Sequence, residues 1–126
     1  MLKIYFSTND ELTEKESILR ECRLDVLVEL DGKYYQPNFI TLAGLTQEVN
    51  YGFENDKMYL NDVCQLIVRS VDKNSIIEAV EYHCKYNFFN SIKDIDLQEY
   101  FKDTVENLWN IHNWILVYSS ATTSNR

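Results

Sequence analysis

The chain has 126 residues and a net charge of −8, with 45% hydrophobic and 25% charged residues. This length and composition are typical of one soluble globular domain, so we expect a single domain over residues 1–126. Its apolar runs are shorter than the roughly 20 residues of a membrane span, and the N-terminal segment lacks the features of a secretory signal. We therefore expect a cytoplasmic protein without membrane contacts, whose negative charge argues against nucleic acid as a partner.

The first third of the chain predicts β-structure around one tight turn. A short strand is expected near residues 2–6, followed by a polar loop or a marginal helical turn over Ser7–Glu16. The segment RLDVLVELDGKYYQPNFITL then predicts a hairpin over residues 23–42, because its apolar residues alternate with polar ones. At its centre, Asp31-Gly32 suits the positive φ angles of a type I′ turn.

The turn also predicts the register of the two hairpin strands. Val28 is expected to lie opposite Tyr35, and Leu24 opposite Phe39, so that both strands place apolar residues on one face. Pro37 has no N–H group, so it predicts an edge or a bulge in the second strand.

The next segments predict a loop, a strand and a helix. Residues 43–62 mix glycines, acids and aromatic residues, and we expect an irregular or partly helical loop there. A third strand is expected over residues 63–71, from its apolar pattern. Ser75 and Glu78 form a capping box, which predicts a helix over about residues 76–90.

The last third repeats the capping pattern and closes with an apolar segment. Asp96 and Glu99 predict the start of a second helix over about residues 97–112. A short strand is expected near residues 114–118, and residues 119–126 are expected to be a frayed tail. Because strands come first and helices later, the expected class is α+β: an antiparallel sheet with one face covered by two helices.

The chain carries none of the residue patterns typical of catalysis or metal binding. Its three glycines cannot form a phosphate-binding loop, and its three cysteines and two histidines lack ligand spacing. His83 and Cys84 are neighbours on the first predicted helix, where adjacent side chains point about 100° apart, so they cannot form a nucleophile–base pair. We therefore expect a protein that is not an enzyme and uses no cofactor or metal.

Two acid-rich segments are candidates for binding a partner. The first is the loop before the third strand, where acids alternate with aromatic residues, and the second is the outer face of the second helix. The candidate partner-binding residues are Glu48, Tyr51, Glu54, Asp56, Tyr59 and Asp62 in the loop, and Glu99, Asp103 and Glu106 on the helix. The alternatives are that the loop aromatics close the core and that the helix acids form a solvated face.

The order of these elements resembles the immunity protein 8 family of bacterial polymorphic toxin systems. The resemblance covers about residues 23–118 and rests on the hairpin segment, on the strand CQLIVRSVDKNSI that leads into a helix, and on the closing segment LWNIHNWILVY. It implies an α+β protein that neutralises a cognate toxin by tight binding and is not an enzyme. The net negative charge favours a toxin with a basic surface, such as a nuclease.

Two other functions remain open from the sequence. An acidic protein from a phage or mobile element can inhibit a nuclease by imitating nucleic acid, in which case its acids should follow two rows across one face. A small ligand-binding domain or enzyme is the other alternative. It would require a deep pocket beneath residues 43–62 that contains His83, His112 or tyrosine side chains.

Overall fold

The computed structural model describes residues 1–54, 65–96 and 114–120, and within these ranges the fold is α+β, as predicted. Its strands are, in chain order, β1 (Leu2–Phe6), β2 (Cys22–Arg23), β3 (Val26–Leu30), β4 (Lys33–Tyr35), β5 (Asn38–Ile40), β6 (Gln65–Ile67) and β7 (Ile115–Ser120). Its α-helices are α1 (Glu11–Arg20), α2 (Leu42–Glu54) and α3 (Lys73–Lys85), and a short 3₁₀ helix spans Phe88–Ser91. The helix predicted over residues 97–112 lies outside the described residues.

The described strands form two sheets where the sequence predicted one. A four-stranded sheet has the order β4-β3-β1-β7, and all of its neighbours are antiparallel. A three-stranded sheet has the order β2-β5-β6, and its β5–β6 pair is parallel, which corrects the purely antiparallel prediction. None of the described helices is long and apolar enough to cross a membrane.

The predicted hairpin is confirmed near its turn. Val28 pairs with Tyr35 in the expected register. Asp31 and Gly32 have φ angles of 53° and 84°, as a type I′ turn requires. The turn chemistry therefore fixes the pairing of β3 with β4.

The prediction for the outer part of the hairpin is wrong. Phe39 pairs with Arg23 instead of Leu24, and Leu24 is 57% exposed. Pro37 cannot donate a hydrogen bond, and the side-chain Nε2 of Gln36 donates to the carbonyl oxygen of Leu24 at 2.9 Å. The pairing register therefore differs by one residue between the part of the hairpin near the turn and its outer part. The outer part of the hairpin forms β2 and β5 of the three-stranded sheet.

Helix α1 occupies a segment where the sequence predicted a loop or a marginal turn. Asp10 caps its start by accepting a hydrogen bond from the backbone N–H of Leu12 at 3.1 Å. Glu21, at φ 64°, ends it. The apolar residues Leu12 and Leu19 are 62% and 82% exposed. Helix α1 therefore lacks most of the inward-facing apolar residues whose spacing predicts a helix from sequence.

The third strand and first predicted helix are present with different bounds. β6 is described only over Gln65–Ile67, and residues 63–64 lie outside the described part of the chain. α3 begins at Lys73, because Asp72 and not Ser75 is its N-cap: Asp72 Oδ1 accepts the backbone N–H of Ser75 at 2.7 Å. These cap hydrogen bonds favour the charged carboxylate and lower the pKa of Asp72.

The last described segment of the chain is β7, which lies at the edge of the four-stranded sheet. β7 pairs with β1 and continues through Ser120, so residues 119–120 belong to the sheet and not to a frayed tail. Trp114, which directly precedes β7, is buried at 6% exposure. Residues 121–126 lie outside the description.

Within the described part of the chain, a hydrophobic core joins α3 to the inner face of the four-stranded sheet. Alternate residues of β1 and β3 belong to this core, as the two-residue period of a strand requires, and Leu27 on the other face of β3 is buried as well. The buried residues of this cluster include Leu2, Ile4, Phe6, Val26, Val28, Leu30, Val71, Ile76, Val80, Cys84 and Phe89.

Candidate partner-binding surface

The loop predicted over residues 43–62 begins as a well-anchored helix, α2. Thr41 caps it: its Oγ1 accepts the backbone N–H of Gly44 at 3.1 Å and donates to Glu21 Oε2 at 2.6 Å. Gly44 is buried, and a Cβ atom at this position would lie 2.6 Å from the carbonyl oxygen of Glu21. Gly44 thus permits the close approach, and the hydrogen bonds from Thr41 to Glu21 hold the start of α2 beside the end of α1.

Three predicted binding residues lie on the surface of α2. Glu48, Tyr51 and Glu54 follow one another at three-residue intervals, so they form a stripe that drifts gradually around the helix. All three are exposed, Tyr51 by 69%. The sequence of α2 contains no lysine or arginine, so this stripe carries two uncompensated carboxylates on its own helix. We call these three residues the α2 surface.

The loop aromatics within the described residues do not close the core. Tyr51 and Phe53 are 69% and 53% exposed, which favours the surface interpretation over the core interpretation for this part of the segment. The remaining predicted binding residues lie outside the described ranges. They are Asp56, Tyr59, Asp62, Glu99, Asp103 and Glu106.

Among the described residues, the most deeply buried charged group is Arg23, which the sequence interpretation placed only at the start of a hairpin. Its side chain is 1% exposed, and its guanidinium lies 4.5 Å above the ring of Phe6. Its Nε donates to Asp25 Oδ1 at 3.0 Å, and its Nη1 donates to the carbonyl oxygen of Val71 at 3.1 Å and to a Glu14 carboxylate oxygen.

These contacts give Arg23 a structural role. Glu14 belongs to α1, Asp25 to the link between the two sheets, and Val71 to the segment before α3. The second oxygen of Glu14 also accepts the backbone N–H of Lys73 at 2.8 Å. The guanidinium therefore fixes three parts of the fold at one point, and its carboxylate partners balance its charge.

Tyr5 and Tyr34 flank Glu29 on the face of the sheet that points away from α3. Tyr5 Oη donates to Glu29 Oε1 at 2.8 Å. Burial first, and then the adjacent Glu29 carboxylate, raise the pKa of both tyrosines above the ordinary value of 10.0. Both hydroxyls therefore stay protonated near neutral pH and act as hydrogen-bond donors, not as bases.

His83 and Cys84 occupy different environments, in agreement with the helical argument. Cys84 is buried at 4% exposure in the core. The His83 ring packs against the rings of Tyr82 and Phe88 at centroid distances of 5.3 and 5.1 Å. Across the described ranges, no group of three or more His, Cys, Asp or Glu side chains lies close enough to hold a metal ion.

Acidification is expected to destabilise the protein through His83. Burial lowers the pKa of His83 below 6.5, so the unfolded chain binds the proton first and stability falls as the pH drops from 6.5 toward the folded-state pKa. Urea unfolding at about pH 7.5 and about pH 5.5 measures the free energy of unfolding at each pH. The decrease between the two should be smaller for His83→Gln than for the unaltered protein. An equal decrease in both proteins would mean that other titratable groups, and not His83, cause the pH dependence.

Comparisons with known proteins provide no assignment for this surface. A scan of protein-family models matched none to the chain, and searches of curated proteins and of solved structures found no match. Any function of this chain must therefore be inferred from its own residues and contacts.

Proposed function

We propose that the protein is an immunity protein that neutralises a cognate bacterial toxin by direct, tight binding through an acidic surface. It acts in the cytoplasm as an inhibitor and not as an enzyme. Its partner is a toxin with a basic surface. A nuclease fits this description best, because the groove in which it binds phosphates is basic.

The exposed α2 surface is the observation that carries this proposal. It combines two carboxylates with a tyrosine, a residue that supplies large contact area at small entropic cost. The cap at Thr41 and the close approach at Gly44 hold its helix in place before a partner arrives. A fixed acidic surface on a chain with net charge −8 favours rapid association with a basic partner.

Charge reversal on α2 is expected to slow association with the toxin. The double variant Glu48→Lys/Glu54→Lys should reduce the association rate constant roughly tenfold at low salt and weaken its dependence on ionic strength. Both side chains are exposed, so the fold should be retained, which circular dichroism will check. Stopped-flow mixing with the toxin domain measures the rate.

A matched control separates a local effect from net charge. Glu11→Lys/Glu16→Lys on α1 alters two exposed carboxylates, whose side chains are 87% and 54% exposed. Each reversal adds two charge units, so both double variants change the net charge from −8 to −4. If the association rate constant fell equally in the two double variants, the α2 surface would not be part of the interface.

A further inference from the structure

A groove of about 450 Å³ lies between β6 and α3. One wall is formed by β6 and the residues that follow it, including Ile67 and Arg69. The other wall is formed by Ser75, Glu78, Ala79 and Tyr82, which follow helical spacing and so share one face of α3. We call it the α3–β6 groove.

Among the described strands, β6 has a neighbour on one side only, so its other backbone edge is open. The N–H of Val68 donates to the carbonyl oxygen of Ile40 at 2.9 Å, and Ile67 lies level with Ile40 in the parallel register. Because alternate residues of a parallel strand bond to opposite sides, the N–H and C=O of Ile67 point away from β5. No backbone group among the described residues bonds to either of them. Such an edge is a template for another strand.

Large apolar side chains are exposed beside this edge. Ile67 is 57% exposed and Tyr82 is 60% exposed. Tyr86, one helical turn beyond Tyr82, is 61% exposed, and the two rings lie 4.8 Å apart. Exposed apolar residues grouped along a groove are typical of protein-binding sites, whereas single ones are ordinary.

Two charges in the groove remain open to a partner. Within the described residues, neither Arg69 nor Glu78 forms an ion pair. A second copy of this chain would bring another net charge of −8 to the contact, which disfavours self-association. Arg69 and Glu78 balance each other within the groove, so the preference for a segment with net positive charge comes from the long-range field of the chain, and Glu78 can receive a basic side chain of that segment.

We propose that the α3–β6 groove binds an extended, basic segment of a partner protein, which adds to the edge of β6 as an extra strand. Backbone hydrogen bonds to Ile67 give the segment its alignment. Its alternate side chains contact Ile67 and Tyr82, and a lysine or arginine reaches Glu78. This proposal stands independently of the role proposed for the α2 surface.

Selection from a library of random linear peptides, each about 12 residues long, tests the groove. We expect enriched peptides that alternate apolar residues and carry a net positive charge. Tyr82→Ala and Ile67→Lys should each weaken their binding at least roughly tenfold by fluorescence anisotropy. Tyr51→Ala, which removes a similarly exposed tyrosine from the α2 surface, should leave peptide binding unchanged. Failure to enrich any peptide, or binding insensitive to both groove variants, would overturn the proposal.

Amide hydrogen exchange tests the strand-addition geometry directly. In the free protein the amide of Val68 should be protected by its bond to Ile40, and that of Ile67 should exchange rapidly. A selected peptide should protect Ile67, and the same peptide with alternate backbone nitrogens methylated should not. Analytical ultracentrifugation measures the oligomeric state. A dimer that Ile67→Lys abolishes would mean that the groove binds a second copy of the chain, which would contradict the proposal.

Discussion

Replacement of Arg23 by methionine is expected to lower the free energy of unfolding by roughly 3 kcal/mol. The variant keeps an apolar stem above Phe6 but leaves Glu14 and Asp25 without the guanidinium, and the carbonyl oxygen of Val71 loses its donor. The loss lies at the lower end for a broken buried ion pair, because both carboxylate side chains are 20% exposed. Urea unfolding followed by tryptophan fluorescence measures it.

The neighbouring Arg20 provides the matched control. It also pairs with a glutamate, Glu16, but at 3.9 Å and with side chains that are 66% and 54% exposed. Arg20→Met should therefore change stability by less than about 0.5 kcal/mol. Similar losses in the two variants would mean that burial does not distinguish Arg23 from a surface arginine.

Truncation of Trp114 to alanine is expected to cost roughly 3–5 kcal/mol of stability. Trp114 is 6% exposed and directly precedes β7, which pairs with all of β1. The substitution removes a large apolar side chain from the interior and leaves a cavity beside the start of that strand. Thermal and urea unfolding of the variant provide the measurement.

Leu116 is the control for Trp114. It lies on β7 two residues later and is 48% exposed, so Leu116→Ala should cost about 1 kcal/mol or less. If Trp114→Ala were near neutral while Leu116→Ala was costly, the burial of Trp114 would be contradicted, and Trp114 would become an interface candidate.

The parts of the fold that were predictable from sequence are those governed by local chemistry. Asp31-Gly32 determines a turn type, and the turn type determines that Val28 faces Tyr35. Strand alternation likewise predicted β1, since Leu2, Ile4 and Phe6 point to one side. These signals need no knowledge of distant residues.

The errors arise where distant groups decide the structure. Pairing of Arg23 with Phe39 depends on the one-residue change of register near Pro37 and on the carboxylate that α1 brings to Arg23. A charged residue at the start of a strand is ordinarily assigned to the surface, and only its partners reveal that it is buried. The parallel pairing of β6 with β5 likewise depends on a contact between segments far apart in the chain.

The candidate site was partly predictable. Acids interleaved with aromatics predicted a binding surface in this segment; Tyr51 is exposed, and its role in binding stays a prediction. The position of helix α2 depends on Thr41 and Gly44, which the sequence pattern did not indicate. The α3–β6 groove was missed, because Tyr82 and Ile67 lie on separate elements whose juxtaposition is not encoded by either pattern. The one available signal was a tyrosine on the outward face of an otherwise amphipathic helix.

Co-expression with a candidate cognate toxin domain tests the proposed function most directly. We expect cells that produce the toxin domain to grow only when this protein is also produced, and the two proteins to co-purify as a stable complex. The Glu48→Lys/Glu54→Lys variant should protect less well than the Glu11→Lys/Glu16→Lys control at equal abundance. Growth arrest despite abundant folded protein, with no complex recovered, would contradict the proposal that this chain is an immunity protein.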